Sequence, residues 1–157
     1  MNKNSLGFNQ LADAFCKEEK KSFAQNKLKH GSVIKAFVKD TIPPKEKRFI
    51  IVGINEEQLF LASIFINSKI NPNKLNNEIK KAQLHFESES RDYLDYPSYI
   101  DCSKIYERKY SEITNILINA PQAYLGDVSE TDMKLIKETI SACKMIPVRI
   151  KKLYNIF

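Results

Sequence analysis

Residues 45–55 read KEKRFIIVGIN, and the fold turns on how the stretch from Arg48 to Ile54 is read. Phe49, Ile50, Ile51 and Val52 follow one another with no polar residue between them. A strand with one wet face alternates apolar and polar residues. An unbroken apolar run belongs instead to a strand covered on both faces or rolled into a tight barrel. Pro43 and Pro44 stand just upstream, in a polar loop from Lys39 to Lys47 where helices and central strands do not continue. Arg48 therefore opens a buried strand, and its charge is either solvated punctuation or aimed at something anionic.

Working outward, Ser32 to Val38 is rich in β-branched and aromatic residues and reads as a strand after Gly31. Asn55-Glu56-Glu57 makes a turn, and Leu59 to Asn67 is a third strand. Gln83–Phe86 and Tyr99–Ile105 read as short strands, separated from the rest by the polar stretch 71–81 and the charged loop 87–96. At the N-terminal end, Leu6 to Leu28 is an amphipathic helix with Phe8, Leu11, Ala12 and Phe15 at helical spacing, ended by His30-Gly31. Its run Lys17-Glu18-Glu19-Lys20-Lys21 is a solvated face.

The C-terminal part carries the clearest local signal. Ser129 and Asp132 have the form of a capping box ahead of the stripe Met133, Ile136, Ile140 and Cys143, and Pro147 stops that helix. The basic and apolar VRIKKLYNIF is expected to add a last strand packed on the body. Many short strands joined by loops predict a mainly β chain of the α+β class, a small β-barrel or sandwich rather than alternating βα units.

The 157 residues fit one domain with a substantial core, and 43% hydrophobic content is that of an ordinary globular chain. No apolar run approaches the roughly 20 residues a membrane helix needs, and MNKNSLGFNQ lacks a secretory pattern, so no membrane is implied and a cytoplasmic location is expected. Cys16, Cys102 and Cys143 are far apart and odd in number. They predict small buried side chains rather than disulfides or a zinc site. The net charge of +6 favours polyanionic partners, nucleic acid first among them.

Phosphate-loop, dinucleotide, zinc-protease and nucleophile-elbow motifs are all missing, and His30 and His85 have no spaced metal partner. No cofactor or metal is called for. Polar residues at strand ends remain: Lys47 and Arg48, Asn67 and Ser68, and the run Asp101-Cys102-Ser103-Lys104. Guanidinium groups take phosphate bidentately. Cutting RNA without metal needs a cation on the phosphate, a base for the 2′-hydroxyl and an acid for the leaving oxygen. Arg48, Asp101 and Lys104 have the chemistry for such roles; the plainer reading is that strand-end charges face water.

Taken in order, these pieces resemble the MazF/PemK (Kid) toxins of toxin–antitoxin modules. Gly31-Ser32-Val33 is similar to the family's opening G-x-V strand, and Arg48 to Glu56 to its arginine-led apolar strand and turn. Phe65-Ile66-Asn67-Ser68 resembles the strand ending in T-S, and Ser98 to Ile105 the strand that ends D-Q-I/P-R. Leu125 to Met133 resembles the entry to the C-terminal helix. The likeness runs collinearly over roughly residues 30 to 146. The chain departs from the family at Phe49, where a proline stands, and at Asn67, where a threonine stands. Aligning Cys102 with a cysteine some members carry puts Ser103 on the acidic position and Asp101 on an arginine position. A slip of one residue restores an acid but turns it to the other face of the strand.

The resemblance implies an SH3-like small β-barrel with a C-terminal helix over residues 29–157, preceded by an added helical extension over residues 1–28. It implies a homodimer, an antitoxin protein as partner, and metal-independent cleavage of single-stranded RNA. On that basis Arg48, Ser68 and Asp101 are candidate catalytic residues, with Lys47, Asn67, Ser103 and Lys104 binding RNA. The N-terminal helix is expected to pack across the barrel or dimer and to cover part of the groove. Two alternatives stay open: a non-catalytic barrel binding nucleic acid or a protein, and an unrelated small interaction protein.

Overall fold

In the computed structural model, the backbone is described for residues 4–157 and the side chains for residues 16–157. The chain runs α1 (Asn4–Lys27), β1 (Ser32–Val38), β2 (Lys45–Ile54), β3 (Phe60–Asn67), α2 (Asn77–Lys81), β4 (Gln83–Phe86), β5 (Ser98–Asp101), β6 (Tyr106–Lys109), α3 (Tyr110–Asn119), β7 (Tyr124–Asp127), α4 (Glu130–Ala142) and α5 (Val148–Leu153). The strands form one curled antiparallel sheet, a half-barrel, in the order β4-β5-β3-β2-β1-β7. β6 pairs with the first half of β3, over Phe60–Ser63, and β5 with its end at Ile66 and Asn67. The fold is mixed α+β and barrel-like, as the strand pattern predicts.

The apolar run of β2 is explained by two cores, one on each side of the sheet. Ile50 and Val52 pack with Val33, Ile64, Ile66 and Ile100 under Met133, Ile136 and Ile140 of α4 and Ile150 of α5. Phe49 and Ile51 point the other way, into Ile34, Leu61 and Phe65 under Ile113 and Leu117 of α3 and Ala24 and Leu28 at the end of α1. Period-two alternation thus divides one apolar strand between two layers of helices. Gly53 sits at a shift in the β2–β3 register, where Tyr154 lies so close that an added Cβ would meet the tyrosine's Cβ at 2.6 Å.

Several expectations need correction. VRIKKL forms the helix α5, not a strand: Pro147 opens it, and Ile150, Tyr154 and Ile156 are buried against the sheet. β2 starts at Lys45, because its charged residues pair with β1 while facing solvent. The strand expected over Tyr99–Ile105 ends at Asp101, where a turn leads into β6. The polar stretch 71–81 holds a short helix, α2, capped by Asn76. Cys16 is exposed, whereas Cys102 and Cys143 are buried as expected. In α1, residues 16–22 are exposed while Ala24, with Leu28 just after the helix, joins the core; the expected stripe of Phe8, Leu11, Ala12 and Phe15 lies outside the described side chains.

The α4 cap is half of a capping box. Ser129 Oγ accepts from the Asp132 amide at 3.1 Å. Asp132 turns its own carboxylate to Arg91, which donates through Nε at 2.8 Å and Nη2 at 3.1 Å.

Candidate functional site

Lys47 and Arg48 are consecutive on β2, so their side chains leave opposite faces of the sheet. Lys47 shares a face with Phe49 and Arg48 with Ile50. This single step divides the candidate residues.

On the Lys47 face, β2, β3 and β5 lie side by side through the pairs Arg48↔Ile66 and Asn67↔Tyr99. Lys47 Nζ donates to Asn67 Oδ1 and lies 5.1 Å from the centre of the Phe65 ring. Asp101, two residues beyond Tyr99 on β5, faces the same way. Its Oδ1 accepts from Gln83 Nε2 at 2.8 Å, the Ser103 amide at 3.0 Å and Ser103 Oγ at 2.5 Å. Three donors on one oxygen fix the carboxyl plane; no hydrogen bond from the described residues reaches Oδ2. The ammonium of Lys47 is half-buried, and that desolvation lowers its pKa, helped by nearby Lys45; the charge of Asp101 works in the opposite direction and does not prevail.

Aromatic rings interleave with the cations on this face. Phe65 and Tyr106 have ring centres 4.2 Å apart, Lys104 Nζ lies 4.8 Å over Tyr106, and His85 meets Tyr99 edge-on at 4.9 Å. Phe65 is buried under the α1–α3 layer, whereas Tyr99, Asp101 and Tyr106 stay partly open to solvent. It offers a fixed carboxylate, an ammonium of lowered pKa, further positive charge and ring faces.

On the opposite face, Arg48 Nη1 donates to the Tyr93 carbonyl at 2.9 Å, and Nη2 forms an ion pair with Asp95. A cleft of about 350 Å³ opens here, lined among others by Lys35, Ser68, Asp95 and Ser98. Lys47, near the start of β2, borders this cleft as well. Among the seven candidates, then, Lys47, Asn67, Asp101 and Ser103 come together with Lys104 alongside. Arg48 and Ser68 lie across the sheet.

Three participants escape a reading of the sequence. Gln83 anchors Asp101 from the neighbouring strand β4. Asp95, on the 87–97 loop, holds Arg48. Arg108 of β6 lies 4.6 Å from the Phe49 ring centre, donates to Ser63 Oγ at 2.9 Å, and pairs with Asp40 at 2.6 Å. Alternation along Tyr106-Glu107-Arg108-Lys109 was the available signal for Arg108, but four residues are too few to orient a strand. The two histidines are exposed, and no group of three or more metal-ligating side chains occurs among the described residues. No described helix is long and apolar enough to cross a membrane. Compared with known proteins, the chain has no significant match to any family model or curated sequence.

Proposed function

We propose that this chain acts on single-stranded RNA as a toxin-like endoribonuclease that needs no metal, its working groups gathered on the Lys47 face of the sheet. The observation that carries the reading is the meeting of Lys47, Asn67, Asp101 and Ser103 on one partly open surface with rings beside them. Ring faces between cations suit unpaired bases and the backbone that joins them, since every base can stack and every phosphate is attracted. The net charge of +6 works in the same direction.

The chemistry follows from the two titratable groups. Asp101 Oδ2 takes the proton of a ribose 2′-hydroxyl, and the freed oxygen attacks the adjacent phosphorus. The bond from phosphorus to the 5′ oxygen breaks, and Lys47 Nζ gives that oxygen its proton. A 2′,3′-cyclic phosphate and a 5′-hydroxyl end result. Burial makes Lys47 a stronger acid than a free lysine and so a better donor to an alkoxide. Asn67 and Lys104 hold the phosphate oxygens, and Ser103 keeps the Asp101 carboxylate in plane. Arg48 and Ser68 become binding residues for the flanking strand. By the same resemblance the protein works as a homodimer held in check by an antitoxin.

A second reading, nucleic-acid binding without cleavage, is favoured by the separation of Arg48 and Ser68 from Asp101 across the sheet. One experiment separates the two. Purified protein is mixed with a labelled single-stranded RNA pool in EDTA, and both bound and cut RNA are followed. Cyclic-phosphate products that vanish with Asp101→Asn support the nuclease. Salt-sensitive binding with intact RNA supports the second reading, and RNA neither bound nor cut sinks both.

A further inference from the structure

We propose that the cleft around Arg48 is a phosphate-binding site distinct from the Lys47–Asp101 cluster, in which the Asp95 carboxylate holds the place of an RNA backbone phosphate. The source of that phosphate rests on the RNA reading above.

The argument begins with charge. Lys35, Lys45, Lys47 and Arg48 line the cleft against two carboxylates, Glu46 and Asp95. Glu46 is engaged by Lys35 at 3.2 Å. Lys35 and Arg48 match the two carboxylates on the cleft's own face, and Lys45 and Lys47, whose side chains leave from the other face, add positive charge at its rim, with the hydroxyl-bearing Ser68 and Ser98 on its wall.

The geometry of Arg48 supplies the second step. Its side chain is only 20% exposed, and the inner edge of the guanidinium is fixed by the Tyr93 carbonyl. The outer edge meets Asp95, whose side chain is 66% exposed. The inner bond positions the fork and the outer one exchanges with solvent. Carboxylate and phosphodiester both present a pair of oxygens to a guanidinium, so an incoming phosphate takes the same contact. An ion pair with one partner so exposed is weak, and a phosphate that also meets the neighbouring lysines replaces it.

Position supplies the third. Lys47 borders this cleft and also belongs to the cluster on the other face. A single strand bent over the start of β2 reaches both, so the phosphate taken by Arg48 flanks the one held by Lys47. Asp95 thus sets a threshold: polyanions that displace it bind, and weaker anions do not.

The test uses anisotropy of a labelled short 2′-O-methyl oligouridine, which lacks the attacking hydroxyl, with the full chain. Asp95→Asn is expected to tighten binding about two- to fivefold, the scale of an exposed ion pair. Asp92→Asn removes an exposed carboxylate of the same loop outside the cleft, and is expected to gain less than Asp95→Asn. In an Arg48→Gln background the gain from Asp95→Asn disappears; Arg48→Lys, which keeps the charge without the fork, loses most of it and covers the case in which Arg48→Gln folds poorly. Inorganic phosphate, followed by NMR, shifts the Arg48 Nε resonance more in Asp95→Asn than in the parent chain. If the oligonucleotide binds and Asp95→Asn gains no more than Asp92→Asn, or its gain persists without Arg48, the site is overturned while the RNA reading stands. If phosphate shifts Arg48 but no variant binds the oligonucleotide, the RNA reading falls and the anion site remains.

Discussion

The two faces of the sheet part company at Lys47 and Arg48, neighbours in sequence with different surroundings. Lys47 lies among aromatic rings and a carboxylate fixed by three donors, on the face whose core packs under α3. Arg48 lies in a polar cleft under a loop and is already paired. The difference teaches that two basic residues side by side on a strand are not one basic patch. Alternation gives each its own partners, one set suited to proton transfer and the other to holding charge.

The comparison breaks first if either face lacks a true core. Phe49→Ala and Ile50→Ala empty opposite layers, and each is expected to cost about 3 kcal/mol or more in denaturant unfolding. A cost below about 1 kcal/mol for either would mean that its side of the sheet is not packed.

The next largest effect separates the faces by function. Asp101→Asn is expected to lower the RNA cleavage rate by about a hundredfold or more. Arg48→Ala is expected to weaken binding while leaving the rate at saturating RNA within about tenfold. Equal losses of saturating rate would return both residues to one site.

A pH profile sharpens the role of Lys47. A lysine that donates a proton must be charged, and the pKa of Lys47 is lowered from the ordinary 10.5. Cleavage at saturating RNA therefore falls as pH rises through a value below 10.5, and Lys47→Ala removes that alkaline limb. A limb at the ordinary lysine value, or one that survives the substitution, would assign the proton to another group.

The smallest effect is on stability. Ser129→Ala leaves the Asp132 amide without its acceptor at the start of α4 and is expected to cost about 1 kcal/mol, read as a lower unfolding midpoint. No loss would show that the half-box contributes nothing.

Much of the fold was legible because local signals and burial agree. β1 and β4 have the bounds their composition predicts, and α4 follows its cap and its Met133-Ile136-Ile140 stripe. The α5 segment reads as a strand because Val148 and Ile150 alternate with basic residues. Packing of Ile150, Tyr154 and Ile156 decides for the helix. α3 escaped because its Ile and Thr residues favour strands locally; Ile113 and Leu117, one turn apart, bury a helical face that only the sheet explains. In the site, alternation alone separates Lys47 from Arg48. The pairing of Arg48 with Asp95, 47 residues on, depends on where a loop lands, and nothing local encodes that.

That loop is also held firmly. Tyr93 and Leu94 are buried in the core, and Arg91 grips Asp132 with two bonds while lying 4.3 Å over the Phe86 ring. Asp95, Tyr96 and Pro97 alone project between these anchors and β5. Release of Arg48 is then a rotation of one exposed side chain, on the picosecond-to-nanosecond scale of such flips, and not a microsecond opening of a loop. The cleft is ready as fast as any anion can diffuse into it.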